Sequence, residues 1–165
     1  MRISKKLAKM MNEQYGSEMS ASMQYMQIAT YFDGRSLPKF AAFFYGQAAE
    51  EQEHALKFLR YLLDVGAEVQ IPAIKAPIYE ITDTATAFQM SVNWENEVTD
   101  QIYALMDVAI EERDYAAQNF LQWFVTEQVE EVASMETLLD VVNRVGDKNL
   151  FMIESYLVRG EETTE

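Results

Sequence analysis

Four glutamates occupy positions where a helical core would normally hold an apolar residue. They are Glu18, Glu51, Glu95 and Glu131, and the only histidine of the chain, His54, follows one of them by three positions. Burying several carboxylates in one core is costly unless something positive neutralises them. No lysine or arginine lies on the same apolar stripes. The sequence therefore predicts a bound metal at the level of these acids.

Each of these acids lies near the middle of an apolar stripe with a spacing of about 3.5 residues, the pattern of helices packed side by side. The stripes cover residues 11–32, 40–65, 88–109 and 124–145. Each acid is roughly ten to seventeen residues from the start of its helix, which is about 15 to 25 Å along the axis. Antiparallel packing of four such helices would bring the four carboxylates to one level.

Glu51 and His54 are three residues apart and would share one helix face. Alone, a Glu-x-x-His pair is weak evidence, because a lone histidine on an apolar stripe is more often a hydrogen-bonded core residue than a ligand. Each of the other three helices, however, also contributes one glutamate, and di-iron carboxylate bundles use this arrangement. A metal ligand is therefore the better interpretation of His54. A buried, oxygen-rich site with one imidazole and no thiolate suits Fe or Mn and tolerates Zn.

The predicted site holds two metal ions. Glu51, in the middle, is the natural bridge between them. Glu18 and His54 would complete one position, and Glu95 and Glu131 would complete the other.

Other polar residues near the site have more than one interpretation. Gln128, beside the second position, is predicted to be a weak ligand or a hydrogen-bond donor. Tyr25 could donate a hydrogen bond or an electron, or could be an ordinary core tyrosine. Glu50, Glu127 and Glu130 lie one step around their helices from the stripes, where a solvated acidic face is the simpler interpretation.

Composition limits the possible functions. The chain has 165 residues, a formal net charge of −14 and no cysteine. Without cysteine there is no disulfide framework and no thiolate metal site. The acidic balance argues against a nucleic-acid partner and favours attraction of cations. No apolar run approaches the length of a membrane span, so we expect a cytoplasmic, soluble protein with no membrane partner.

Capping and turn signals divide the chain into five helices. We expect them from Ser4 to about residue 33, from Leu37 to about 65, from Asp83 or Thr84 to about 112, from about 115 to 145, and from about 147 to 158. The segment of about residues 67–82, with Pro72 and Pro77, is predicted to be extended and long enough to cross the bundle. The predicted fold is all-α, a ferritin-like four-helix bundle with a long crossover between helices 2 and 3 and a short fifth helix. Residues 1–160 would form one domain, and 161–165 a disordered acidic tail.

Several local motifs closely resemble those of bacterial and archaeal non-haem ferritins, and the resemblance covers almost the whole chain. The motifs are Glu51-x-x-His54, Tyr31-Phe-Asp33, the Ile71-Pro72 step and the run FLQWFVTEQVEE that ends at Glu131. The resemblance implies a hollow shell of twenty-four subunits. Such a shell would oxidise Fe(II) with O2 or H2O2 at a di-iron centre and store ferric mineral inside.

The resemblance also implies roles for individual residues. Glu18, Glu51 and His54 match the first iron site of the family. The second iron site matches Glu51, Glu95 and Glu131.

Further positions match features that only some family members have. Glu50, Glu127 and Glu130 resemble the third iron site of some bacterial members, and Tyr25 matches a tyrosine beside the centre. Haem is not expected, because Gln52 stands where bacterioferritins carry the haem-binding methionine.

Two alternatives stay open at this level. A rubrerythrin-like or oxidase-type di-iron enzyme would consume peroxide without storing iron, although the absence of cysteine and the single Glu-x-x-His count against it. A structural or partner-binding bundle with a degenerate site would bind no metal.

Overall fold

The computed structural model describes residues 3–161, and its regular elements are helical. The helices are α1 (Lys5–Asp33), α2 (Pro38–Asp64), α3 (Thr84–Glu111), α4 (Tyr115–Val145) and, after a 3-10 turn at Asp147–Asn149, α5 (Leu150–Glu161). The predicted four-helix bundle with a short C-terminal helix is confirmed. Of the predicted acidic tail, Glu161 ends α5, and residues 162–165 lie outside the described part of the chain.

Side-chain caps explain where three of the long helices begin. Ser4 Oγ accepts a hydrogen bond from the backbone N–H of Leu7 at 3.0 Å, and Asp83 and Asp114 cap α3 and α4 in the same way. Each cap satisfies an N–H group that has no partner inside its helix. Helix α2 differs, because its N-cap residue Leu37 makes no side-chain cap.

Helix α5 supplies the missing cap of α2. Glu154 Oε1 accepts hydrogen bonds from the backbone N–H of Lys39 at 2.8 Å and of Phe40 at 3.3 Å. A carboxylate is favourable at this place because the N-terminus of a helix carries a partial positive charge. Next to it, Ile153 is fully buried in the core. These two residues fix α5 to one end of the bundle.

Two apolar clusters fill the interior of the bundle, and the predicted acids lie between them. One cluster combines the end of α1, the start of α2, the start of α3 and the end of α4. The other combines the opposite ends of the same four helices. This alternation means that α1 runs antiparallel to α2 and α3 antiparallel to α4. In each helix the acid at position 18, 51, 95 or 131 falls between the residues of the two clusters.

The extended crossover between α2 and α3 is held along α1 by polar side chains. Asn12, Ser20 and Gln24 of α1 hydrogen-bond to the backbone of residues 68–78. Gln24 makes a reciprocal pair, because Oε1 accepts from Ile78 N–H at 2.8 Å and Nε2 donates to Ile78 O at 2.9 Å. The crossover is therefore a fixed part of the α1 surface.

Gly16 allows the crossover to approach α1 closely. A Cβ atom at this position would lie 2.4 Å from Pro72 Cγ, which is shorter than any ordinary contact. Glycine is required here by the contact and not by the backbone angles.

The outward faces of the long helices carry most of the exposed acids. In keeping with this, none of the helices within residues 3–161 has both the length and the apolar character that a bilayer crossing would demand.

Candidate metal centre

The five residues predicted to bind metal meet in the middle of the bundle. Glu18, Glu51 and Glu95 are at most 2% exposed, His54 is 4% exposed and Glu131 is 7% exposed. In residues 3–161 the only ion pair that involves any of them joins Glu51 to His54. The carboxylates are thus buried without a lysine or arginine to balance them.

The first group of potential ligands consists of Glu18, Glu51 and His54, whose ligand atoms all lie within 4.8 Å of one another. His54 Nδ1 is 3.2 Å from Glu51 Oε2. Glu18 Oε1 accepts a hydrogen bond from Gln14 Nε2 at 2.9 Å, whereas Glu18 Oε2 is buried without a partner in the described part of the chain. Such orphaned buried acceptors are rare, and coordination of a cation would satisfy this one.

A second group combines Glu50, His54, Glu127 and Glu131, again with ligand atoms within 4.8 Å of one another. His54 belongs to both groups. Glu131 is buried, whereas Glu50 and Glu127 reach solvent. This position therefore connects the buried centre to the surface between α2 and α4, and its carboxylates suit a hard cation.

Glu95 lies outside both groups and is held by hydrogen bonds. The hydroxyl of Tyr25 donates to Glu95 Oε1, and Gln128 Nε2 donates to Glu95 Oε2 at 3.2 Å. Gln128 Nε2 is also 3.3 Å from Thr99 Oγ1. The structure thus places both Tyr25 and Gln128 as donors to one carboxylate.

Burial raises the pKa of four carboxyls, those of Glu18, Glu51, Glu95 and Glu131. For Glu18 and Glu51 the pKa lies well above the ordinary value, first through desolvation and then through neighbouring carboxylates. Desolvation is also the largest cause for Glu95, whose pKa is raised to about 7, and for Glu131, whose pKa is raised to about 9. Without a cation Glu18, Glu51 and Glu131 favour the protonated form at neutral pH, whereas Glu95 is divided about evenly between its protonated and ionised forms. A bound cation would favour the ionised form and release protons.

Aromatic rings fix the orientation of the histidine. The ring of His54 packs edge-on against Trp123 at 5.3 Å and Phe124 at 6.0 Å between ring centroids. Lys57 Nζ lies 4.1 Å from the centroid of the Trp123 ring. The imidazole is therefore held by packing on one side and by Glu51 on the other.

Glu130 does not join the acids with which it was predicted to form a third site. It is exposed, and neither group of potential ligands includes it. Successive residues of a helix are separated by about 100°, so a core-facing Glu131 turns its predecessor outward. Glu127 is four residues before Glu131 and shares its face. The structure combines Glu50 and Glu127 with His54 and Glu131 instead.

Gln14 was missed by sequence reasoning although its spacing gave a signal. It is four residues before Glu18 on α1, and residues with this spacing are neighbours on a helix. Gln14 is 4% exposed, and its amide fixes one oxygen of Glu18. Gln52, at the position considered for haem, donates to Ser22 Oγ at 3.3 Å.

Comparison with known proteins agrees with this geometry. A family model described as a ferritin-like domain matches residues 8–145, which include α2, α3, α4 and most of α1. Ferritin BfrB of Mycolicibacterium smegmatis is 44% identical over 150 residues, which are 91% of this chain and 82% of that protein. A bacterial non-heme ferritin of Staphylococcus aureus is 38% identical over 157 residues, which are 94% of this chain and 95% of that protein.

Solved structures show the same backbone. An open pore ferritin from the hyperthermophilic archaeon Archaeoglobus fulgidus matches with a TM-score of 0.91 and 32% identity, covering 94% of this chain and 96% of that one. A closed form of the Archaeoglobus fulgidus protein, engineered by site-directed mutagenesis, matches with a TM-score of 0.90.

Proposed function

The chain belongs to the ferritin family, and from this membership we propose that it oxidises Fe(II) to Fe(III) and stores the product as a ferric oxyhydroxide mineral. Fe(II) is the substrate, and the oxidant is O2 or H2O2. The reaction takes place at the buried centre between the two apolar clusters.

The observation that carries the proposal is the burial of four carboxylates around one imidazole without a lysine or arginine partner among residues 3–161. In their ionised form, carboxylates buried in this way strongly destabilise a fold unless a cation balances them. Two divalent cations would balance the four carboxylates. Glu18 Oε2, which is buried without a hydrogen-bond partner in residues 3–161, supports the same interpretation. An oxygen that binds a metal ion is expected to lack a partner while the metal is absent.

Glu51 would bridge two Fe(II) ions, with Glu18 and His54 completing one position and Glu95 and Glu131 the other. Anionic oxygen ligands favour the more highly charged Fe(III), so the pocket favours loss of an electron. Each of two Fe(II) ions gives one electron to O2, which takes up two protons and leaves as H2O2. Water then hydrolyses Fe(III) to the oxyhydroxide, and this step releases protons.

Other side chains would orient ligands or receive the product. Tyr25 and Gln128 hold Glu95 in place through their hydrogen bonds. Glu50 and Glu127 offer a third, solvent-accessible position beside His54. Fe(III) leaving the buried centre would meet these acids next.

We place this chemistry in a homo-oligomeric shell, with twenty-four subunits as the family resemblance implies and the cytoplasm as its location. Large apolar side chains on α5 support contacts between copies, since Phe151 is 80% exposed and Met152 is 65% exposed in the single chain. Exposed apolar patches of this kind mark interaction surfaces.

Anaerobic titration with Fe(II), followed by addition of oxygen, tests the proposed reaction. We expect rapid ferric absorbance that saturates at about two iron ions per subunit, as a di-iron centre requires. Glu51→Ala should abolish the rapid phase, whereas Glu53→Ala, at an exposed position two residues away, should keep it. Electron microscopy after iron loading should show hollow particles with dense centres. A peroxide-consuming enzyme that stores nothing would give no dense mineral.

A further inference from the structure

A cavity of about 400 Å³ opens between α1, α3 and the crossover. Much of its wall is apolar and includes Met10, Pro72, Trp94 and Leu105. Gln14 and Ser17 of α1 contribute neutral polar groups. The cavity is on the opposite side of the bundle from Glu50 and Glu127, which belong to α2 and α4.

The side chain of Gln14 lies between the cavity and the metal centre. Gln14 lines the cavity, and its Nε2 donates to Glu18 Oε1 at 2.9 Å. The same residue therefore separates the cavity from a predicted iron ligand. Passage from one to the other would require Gln14 to change its rotamer.

The charged residues that line the cavity are already paired, so the cavity favours a small uncharged molecule over an ion. Its acid Glu13 and its base Lys75 each form an exposed ion pair with a neighbouring residue. A hydrated cation would have to give up its water against an apolar wall with little to replace it. On the α2 and α4 side, by contrast, Glu50 and Glu127 offer carboxylates to such a cation.

We propose that this cavity admits the small uncharged oxidant, O2 or H2O2, to the metal centre, and that Gln14 is the side chain that separates the two. This inference rests on the proposed ferroxidase function and adds the route of the second substrate. Fe(II) and the oxidant then reach the centre from opposite faces. The cation approaches along the acids of α2 and α4, and the oxidant passes between α1 and α3.

A removable plug tests the route in the assembled protein. Ala104 is exposed and lines the cavity, and the chain has no cysteine, so Ala104→Cys introduces a unique thiol. The folded variant is labelled with methyl or benzyl methanethiosulfonate, and mass spectrometry verifies the adduct. Ala116→Cys, at an exposed position of α4 away from the cavity, is the matched control. Initial rates are measured at several concentrations of O2 and of H2O2, and Fe(II) binding is measured without oxygen.

We expect the benzyl adduct at position 104 to lower kcat/KM for both oxidants several-fold, and the methyl adduct to lower it less. Fe(II) binding and the control variant should be unchanged, and removal of the adduct by reduction and desalting should restore the rate. Ser17→Leu, which narrows the cavity from α1, should slow the same step.

Unchanged rates with both the benzyl adduct and Ser17→Leu would overturn the proposal. A parallel loss of Fe(II) binding would also overturn it, since the cavity would then be a route for iron. If the unlabelled protein does not oxidise Fe(II) at all, the proposed function itself fails and this inference fails with it.

Discussion

The phenol of Tyr25 on α1 donates a hydrogen bond to the Glu95 carboxylate on α3. Both residues are fully buried. Burial raises the pKa of Tyr25 well above its ordinary value, and the charge of Glu95 raises it further. The phenol therefore stays protonated and acts as a fixed donor. This contact joins the two helical hairpins, α1–α2 and α3–α4, at the level of the metal centre.

Tyr25→Phe removes that donor and leaves the packing of the ring. We expect about two Fe(II) ions still to bind per subunit, as a di-iron centre requires. The initial rate of oxidation should fall several-fold, because Glu95 loses a group that orients it. Stopped-flow absorbance measures the rate, and Tyr15→Phe, at a partly buried position of the same helix, is a control that should keep the parent rate. Identical rates for Tyr25→Phe and the parent would show that the contact is only structural.

Glu154→Ala should loosen α5 without breaking the bundle. The first N–H groups of α2 would lose their acceptor, which costs about 1 kcal/mol for a helix cap. Hydrogen exchange followed by mass spectrometry should show faster exchange at Lys39 and Phe40 and along α5. The neighbouring change Ser155→Ala serves as the control, because within residues 3–161 Ser155 Oγ bonds only to the Phe151 carbonyl of its own helix. Unchanged protection at Lys39 would contradict the capping role.

Two glycine substitutions should shift stability in opposite directions. Gly16→Ala places a methyl group 2.4 Å from Pro72 Cγ and should destabilise the protein by about 1–3 kcal/mol through overpacking. Gly46 lies inside α2, and a methyl group added there would meet no neighbouring atom within 4 Å in the described part of the chain. Gly46→Ala should therefore stabilise the helix by about 0.5–1 kcal/mol. Thermal unfolding of both variants checks the signs, and equal shifts would refute the close contact with the crossover.

The metal-free protein should lose stability as the pH rises. The pKa values of Glu95 and Glu131 are raised from 4.5 to about 7 and about 9, so the folded state holds protons that the unfolded state has released. Between the unfolded-state pKa and the folded-state pKa of each group, the free energy of unfolding falls by about 1.4 kcal/mol per pH unit for each extra proton that the folded state holds. Denaturant unfolding from pH 5 to 9 measures it.

Two controls belong to the pH experiment. Glu131→Gln should flatten the decline, above all beyond pH 7, where Glu95 has already ionised. Glu130→Gln, at an exposed position, should leave the profile unchanged. Saturating Zn(II) should remove most of the decline, because the cation stabilises the ionised carboxylates. A flat profile for the metal-free parent would contradict the buried, uncompensated state of these acids.

Helix limits and the level of the acids could be predicted because their signals are local. Ser4 and Asp114 cap the helices that follow them. The period of the apolar stripes and the distance of each acid from its helix start predicted the four acids at matching depth. Which ligands share a metal position depends on the rotation and separation of the helices, which one sequence does not specify. Whether Glu130 shares a metal position with Glu50 therefore stays a prediction, and Gln14 was overlooked beside Glu18.

The cap of α2 by Glu154 could not be predicted for a different reason. Leu37 is a poor capping residue, and this signals that α2 needs another acceptor. The acceptor comes from a residue 115 positions away from Lys39. Only the docking of α5 brings the two together, and that docking depends on tertiary packing.

The central claim is that paired cations hold the buried carboxylates in place. Anomalous diffraction from a crystal soaked in ferrous salt without oxygen tests it most directly. We expect two iron peaks within coordination distance of Glu51, one also beside Glu18 and His54 and the other beside Glu95 and Glu131. An absence of iron at this level, or an orientation of these side chains away from it, would show that cations do not hold the carboxylates in place.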